Sequence, residues 1–287
     1  MEIYSPVHSL NHLSLAQIWV KRDDLIDPYI SGNKWRKLKY ILADVIQQGK
    51  THLITFGGAY SNHLVATAAA AARNELSATA FVRGEEVKNE MLMLCQLFGM
   101  RLIFVDRESY RHKKQLFEQH FANDPTAYFI DEGGASEEAV SGCAEIIDEL
   151  TVHYDYIFCA AGTGTTAAGL LRGINNQQLQ TELHVVPVLK GGDFLGEAIS
   201  HYEPNISKLR LHTEYHFGGY AKTSPVLLAF IRDFVANTGI LIDPVYTAKM
   251  FYAIYDLIHT NQLKKDSTIL AIHTGGLLGM LGMKDKL

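Results

Sequence analysis

The feature that most constrains the fold is a regular alternation of short apolar runs with longer segments of helical periodicity. The apolar runs predict strands at 18–21, 52–56, 78–82, 102–105, 127–130, 156–159, 183–189, 209–212 and 269–272. The first predicted helix opens at Lys34 and ends before Gly49, and others follow at 62–74, 87–98, 110–122, 137–150, 165–174, 195–200, 225–238 and 247–262. This alternation predicts an α/β fold of open, twisted parallel sheets with helices on both faces.

The composition narrows the class of protein. At 287 residues the chain is long enough for one or two domains, and its 47% hydrophobic and 20% charged residues are ordinary for a soluble enzyme. A net charge of -5 gives no basic surface for nucleic acid, and no apolar run is long enough to span a membrane. The first residues lack a signal-peptide pattern, and the three cysteines form no Cys-x-x-Cys pair, so we expect a cytoplasmic protein.

Three segments with glycine and hydroxyl residues follow predicted strands. They are Gly57–His63, Ala161–Thr166 and His273–Gly276. In open parallel sheets, ligands bind at the carboxyl ends of the strands. We therefore predict that these three segments line one cleft.

Lys34 is the candidate reactive residue. Ser31-Gly32-Asn33 has the chemistry of a cap and turn, which places Lys34 in the first turn of the following helix. A cation is disfavoured there because the helix dipole is positive at its N-terminus. Such a lysine is either a solvated surface charge or an amine whose lowered pKa lets it form a Schiff base with an aldehyde. Lys37 lies one turn on, on the same face.

The segment Gly162-Thr163-Gly164-Thr165-Thr166 joins a predicted strand to a predicted helix. Glycines allow an anion to approach the backbone, and the free N–H groups of the helix start can bind it. The alternative is a tight turn with a threonine cap. The segment is not a Walker loop, because no Gly-Lys-Ser/Thr follows, and Ala167 stands where a dinucleotide fingerprint has its third glycine.

Ser61 has two compatible interpretations. It is a good N-cap for the alanine-rich helix that follows, and its hydroxyl is also suited to bind a substrate. His63 next to it is better suited to packing or capping than to catalysis. The 13 histidines form no His-x-x-x-His pattern, so no metal site is predicted.

With these segments and Asp243-Pro244-Val245-Tyr246 in view, the chain resembles the family of pyridoxal-phosphate enzymes that contains 1-aminocyclopropane-1-carboxylate (ACC) deaminase and D-cysteine desulfhydrase. The matches run from Lys21 to Gly276 in the family's order. The resemblance implies the tryptophan-synthase-β-like architecture, fold type II, with pyridoxal 5'-phosphate between two α/β domains. A large cofactor-binding domain would comprise 1–45 and 150–287, and a small inserted domain 46–149. It also implies a homodimer and a small amino acid as substrate.

The resemblance also implies roles for individual residues. Lys34 would hold the cofactor covalently and then act as a base. The phosphate would be bound by Lys37, Gly162, Thr163, Gly164, Thr165 and Thr166. Asn62 would bind the ring hydroxyl, and Ser61 would bind the substrate carboxylate or move a proton. Tyr220 and Tyr246 would transfer protons or stack on the ring. The substrate pocket would include Tyr60, Ser61, Asn62, His63 and Trp35.

Four positions bear on the substrate. Tyr60 stands where the family commonly has glutamine, and Trp35 where it has a small residue. Thr247 and Thr274 match the desulfhydrases, whereas ACC deaminases resemble one another in having glutamate and leucine there. A neutral hydroxyl near the ring nitrogen supports its protonation poorly, which favours β-elimination of a good leaving group. We therefore expect desulfhydrase-like chemistry. The alternatives are ACC ring opening, amino-acid racemisation and a non-catalytic binding protein.

Overall fold

The structure is a computed structural model that describes residues 3–10, 17–284 and 286. Its strands are β1 Val7–Ser9, β2 Gln17–Lys21, β3 His52–Gly58, β4 Ser77–Arg83, β5 Arg101–Val105, β6 Ala127–Phe129, β7 Tyr156–Ala161, β8 Glu182–Pro187, β9 Leu209–Leu211 and β10 Thr268–Ile272. Its α-helices are α1 Asn33–Gln47, α2 Asn62–Arg73, α3 Glu90–Leu97, α4 Lys113–Phe121, α5 Glu137–Asp148, α6 Thr165–Asn176, α7 Phe194–Tyr202, α8 Pro225–Thr238 and α9 Thr247–His259.

The strands form two sheets. The larger has the order β1-β2-β10-β7-β8-β9, and the smaller has the order β5-β4-β3-β6. Every pair of neighbouring strands is parallel except β1 and β2, which are antiparallel. The prediction of two parallel-sheet α/β units is confirmed.

Alternate residues of β10 show that helices cover both faces of the larger sheet. Ile269 and Ala271 belong to an apolar cluster with α8 and α9, whereas Leu270 and Ile272 belong to a cluster with α5, α6 and α7. Successive side chains of a strand point to opposite faces, so both faces are buried. The smaller sheet is likewise covered by α2 and α3 on one face and by α4 on the other.

Helices α1 and α5 connect the two sheets. From α1, Ile41 and Val45 pack in the core of the smaller sheet. From α5, Ile146 and Ile147 pack in the core of the larger sheet, although α5 lies within the range predicted for the small domain. The domain boundaries at 45/46 and 149/150 stay a prediction.

The structure differs from the sequence-based prediction in some short elements and in the residues at which two helices begin. Strand β1 was not predicted, because three residues are too few to show a periodicity. Helix α3 begins at Glu90 rather than at 87, since the side chain of Asn89 accepts a hydrogen bond from Leu92 N and caps it there. The helix predicted from 110 begins only at Lys113, because Ser109–Arg111 form a separate 3-10 turn before α4.

Candidate active site

The segment before Lys34 is docked on the loop that follows β10. Gly32 is the N-cap of α1 at φ 59°, and a Cβ added there would lie 2.0 Å from Thr274 O. Asn33 N donates to the same carbonyl oxygen at 3.2 Å. Only glycine fits this contact, so the first turn of α1 is held at the carboxyl end of the larger sheet.

Lys34 is the second residue of α1, as predicted, and part of its surface is accessible. Its Nζ donates to Asn33 Oδ1 at 2.9 Å. Desolvation, with a smaller contribution from the charge of Lys37, lowers the pKa of Lys34 to about 7. The amine is therefore substantially deprotonated at neutral pH, which a nucleophilic lysine requires.

The loop between β7 and α6 presents donors to the same region. Gly164 is the N-cap of α6 in the left-handed region at φ 82°, and no side chain caps the helix. Thr163 Oγ1 and Thr165 Oγ1 lie 3.1 Å apart, and Asn33 Nδ2 donates to Thr166 Oγ1 at 2.9 Å. The first N–H groups of α6 are thus left for an anion.

Sequence reasoning missed one part of the site, the turn at Glu132–Gly134. Lys37 is buried and its Nζ donates to Gly133 O at 2.9 Å. A Cβ added at Gly133 would lie 3.3 Å from Thr163, and one at Gly134 would lie 3.4 Å from His63. The signal that would have found it is a glycine pair just after the strand β6, at the same carboxyl edge as Gly57-Gly58.

The segment after β3 lies against the loop after β10. Ser61 occupies the N-cap position of α2, but its hydroxyl makes no capping hydrogen bond and is left available to a ligand. A Cβ added at Gly276 or Gly279 would lie 2.9 or 3.1 Å from Asn62 Nδ2. The structure therefore brings Asn62, the residue after Ser61, next to the glycines that follow β10.

His63 is buried and packs, as the sequence analysis favoured. Its Nε2 lies 2.7 Å from Thr55 Oγ1, and its buried Nδ1 has no partner among the described residues. Burial, assisted by the charges of Lys34 and Lys37, holds the pKa of His63 well below its ordinary value. The imidazole is therefore neutral at physiological pH.

The two unusual aromatic residues lie in different surroundings. Tyr60 is 49% exposed, and a Cβ added at Gly282 would lie 2.6 Å from its ring. Trp35 packs against an apolar cluster that contains Ala66 and Ala69 of α2, and its buried Nε1 has no partner among the described residues. Assignment of both to the substrate pocket stays a prediction.

Tyr220 and Tyr246 form a pair. Their rings meet edge to face with centroids 6.1 Å apart, and Tyr246 lies 3.4 Å from the position of a Cβ added at Gly162. Although Tyr220 is 44% exposed as a residue, desolvation raises its pKa, while its contact with Tyr246 acts in the opposite direction. Burial also raises the pKa of Tyr246 well above its ordinary value, so both phenols carry their protons.

The two threonines differ in their surroundings. Thr247 Oγ1 donates to Asp243 Oδ1 and accepts from Asp243 N, both at 2.8 Å. The Asp243 carboxylate also accepts from the backbone N–H groups of Val245, Tyr246 and Thr247. Thr274 is 7% exposed, and its hydroxyl bonds no other residue that the structure describes. Sequence reasoning missed Asp243, which caps the start of α9.

A family model described as "Pyridoxal-phosphate dependent enzyme" matches residues 2–275, nearly the whole chain. The chain belongs to this family. Its cofactor is therefore pyridoxal phosphate, and the prediction of a fold type II enzyme of this class is confirmed.

Similar proteins carry two activities in their names. A putative ACC deaminase from Thermotoga maritima is 34% identical, over 99% of this chain and 97% of the relative. A bifunctional D-cysteine desulfhydrase/ACC deaminase from Arabidopsis thaliana is 28% identical over 99% of this chain and 79% of the relative. The solved structure of an ACC deaminase homologue has a TM-score of 0.86 at 30% identity, covering 98% of this chain and 92% of that one.

The residues present fit the cofactor. An aldehyde requires a free amine, and the lowered pKa of Lys34 supplies one. A phosphate requires donors, and the uncapped start of α6 with the hydroxyls of Thr163 and Thr165 supplies them. In the described ranges, no three His, Cys, Asp or Glu side chains are grouped as a metal site would require. None of the helices described is both long and apolar enough to cross a membrane.

Proposed function

We propose that this enzyme catalyses β-elimination from a small D-amino acid such as D-cysteine, releasing a keto acid and ammonia. The observation that carries the proposal is the hydroxyl of Thr274, a residue that is 7% exposed, lies two positions after β10 and bonds no other described residue. The family resemblance implies that Thr247 and Thr274 lie at the ring nitrogen of the cofactor. Thr247 directs its hydrogen to Asp243, so Thr274 is the neutral partner left for that nitrogen.

The consequence of a neutral partner is electronic. The bound cofactor supplies an electron sink for the α-carbon. A carboxylate beside the ring nitrogen would keep it protonated and strengthen the sink, whereas a hydroxyl does so poorly. Asp243, the acidic residue bonded to Thr247, has its oxygens occupied by N–H groups and by the Thr247 hydroxyl. A weaker sink suffices to expel thiolate but serves ACC ring opening less well.

The chain's own residues divide the remaining work. Lys34, with a pKa of about 7, is the base that removes the α-proton. Ser61 has a hydroxyl free to bind the substrate carboxylate. The paired phenols of Tyr220 and Tyr246 retain their protons and can donate one to the departing sulfur. In balance, D-cysteine and water give pyruvate, hydrogen sulfide and ammonia.

The test is a comparison of kcat/KM for D-cysteine, β-chloro-D-alanine and ACC, with keto acid release as the readout. Lys34→Ala serves as the blank, since free cofactor and buffer then account for any remaining turnover. We expect both D-amino acids to exceed ACC. Faster turnover of ACC would support the second candidate, ACC deamination, which the name of the Thermotoga relative favours.

We further propose that the enzyme acts as a homodimer in the cytoplasm. The dimer rests on the family resemblance. The compartment is supported by Cys95, Cys143 and Cys159, which are all buried and free of disulfide bonds. Light scattering on the purified protein tests the dimer, and a mass of one chain would contradict it.

A further inference from the structure

Lys249 is a buried lysine to which the proposed chemistry gives no role. It lies in the first turn of α9, is 0% exposed, and forms no ion pair with any carboxylate that the structure describes. Its Nζ donates to three backbone oxygens, Gly219 O at 2.8 Å, His216 O at 2.9 Å and Val188 O at 3.2 Å. An ammonium has three N–H donors, so the three acceptors match its protonated form.

The placement of this charge is costly. Burial lowers the pKa of Lys249 to about 8, with Asp243 acting in the opposite direction, so the ammonium form predominates at neutral pH. The positive end of the α9 dipole also opposes a cation in the first turn. A methionine of similar shape would avoid both penalties. An apolar residue could not donate hydrogen bonds to the three carbonyls, whereas the ammonium of Lys249 does.

Two of the three carbonyls belong to a strained segment. Phe217 and Ala221 both adopt the left-handed backbone region, at φ 51° and 55°, although neither is glycine. Such conformations persist only where the surroundings hold them. Gly219 O lies between these two residues and His216 O lies directly before Phe217. Lys249 on α9 binds both oxygens, and it also binds Val188 O just after β8.

The segment held by Lys249 carries Tyr220, whereas Tyr246 is the N-cap residue just before α9, the helix that carries Lys249. The ammonium thus fixes one phenol relative to the other, which lies edge to face with it at 6.1 Å. We propose that Lys249 is a positioning residue that holds Tyr220 against Tyr246 by binding the backbone carbonyls beside it. The catalytic consequence rests on the proposed role of Tyr220 in proton transfer.

A double-mutant cycle tests whether Lys249 acts through Tyr220. We expect Lys249→Ala in the holoenzyme to lower kcat/KM about 10²-fold, the cost of a misplacement of about 1 Å. In a Tyr220→Phe background the same change should have almost no further effect, because the group it positions is already gone. Lys265→Ala, at an exposed lysine before β10, is the matched control and should leave both activities unchanged.

Chemical rescue provides a readout that does not depend on activity. Lys249→Ala removes three carbon atoms and the ammonium, the same groups as n-propylammonium. Trypsin cleavage after the exposed Lys222 should become faster in Lys249→Ala holoenzyme and return to the slow rate with n-propylammonium. Tetramethylammonium, which has the charge but no N–H donors, should not restore it. If Lys249→Ala does not fold, Lys249→Gln, with two donors, carries the same measurements.

The outcomes separate the two proposals. Equal losses from Lys249→Ala in both backgrounds, or cleavage that n-propylammonium does not slow, would overturn the positioning role. A Tyr220→Phe enzyme with full activity would instead refute the proton-transfer role of Tyr220, while the cleavage experiment would still report on Lys249.

Discussion

Asn33 Nδ2 donates a 2.9 Å hydrogen bond to Thr166 Oγ1 and so joins the first turn of α1 to the first turn of α6. The Oδ1 atom of the same amide accepts from Lys34 Nζ at 2.9 Å. One side chain therefore orients the reactive amine and the loop that we expect to bind the phosphate.

Asn33→Ala should weaken cofactor retention. Loss of one neutral hydrogen bond and one bond to an amine corresponds to about 1–2 kcal/mol, or a roughly 5–30-fold rise in the cofactor's dissociation constant. Equilibrium dialysis measures the constant. Asn33→Asp preserves the acceptor to Lys34 but not the donor to Thr166, so an intermediate value is expected. A dissociation constant unchanged in Asn33→Ala would contradict this role.

Lys37→Ala tests the phosphate site. If the buried ammonium assists the phosphate, its removal costs on the order of 1.5–3 kcal/mol, and the dissociation constant rises by at least about tenfold. The matched control is Lys39→Ala, two residues on, where an exposed lysine pairs with Glu145. Equal constants for the two variants would show that the phosphate lies elsewhere.

The lowered pKa of Lys34 predicts a pH dependence of cofactor capture. Only the free amine reacts with the aldehyde, so the rate at which apoprotein takes up pyridoxal phosphate should rise with pH with a midpoint of about 7. Lys37→Met removes a neighbouring charge and should move the midpoint upward. A midpoint near 10.5, the ordinary lysine value, would contradict the shift.

The lowered pKa of Lys34 also predicts how the stability of the apoprotein depends on pH. Between pH 7 and 10.5 the unfolded chain holds a proton that folded Lys34 has released, so this group makes the free energy of unfolding of the apoprotein rise with pH over that range. Urea titrations of Lys34 and Lys34→Met apoproteins across this range measure the difference.

Thr247 and Thr274 should respond differently to loss of the hydroxyl. Thr247→Val leaves the buried Asp243 N–H without an acceptor and removes one of the two hydrogen bonds that Asp243 Oδ1 accepts, which we expect to cost about 1–3 kcal/mol of unfolding free energy. Thr274→Val leaves no protein group unpaired, so stability should hold while kcat changes. Urea unfolding measures the stability of both variants, and steady-state kinetics measure their kcat. Equal destabilisation of the two would show that Thr274 has a structural partner.

The sequence predicted most of the fold because the apolar periods are long and the strand–helix alternation is regular. It predicted the order of the site loops for the same reason, since they follow parallel strands. It did not predict the turn at Glu132–Gly134, which depends on a contact with the distant residue Lys37. It also missed the cap at Asp243, although that contact is local and the aspartate stands only four residues before Thr247. The sequence also could not show that the Thr247 hydroxyl is hydrogen-bonded to Asp243 whereas the Thr274 hydroxyl bonds no described residue, because the partner of a hydroxyl depends on how the chain packs.

The most direct test of the account is the attachment site of the cofactor. Borohydride reduction of the holoenzyme, followed by digestion and mass spectrometry, locates the lysine that carries the pyridoxyl group. The account predicts that the group is found on the peptide containing Lys34 and is absent in Lys34→Ala. Labelling of Lys37 or of any other lysine in the native enzyme would contradict it.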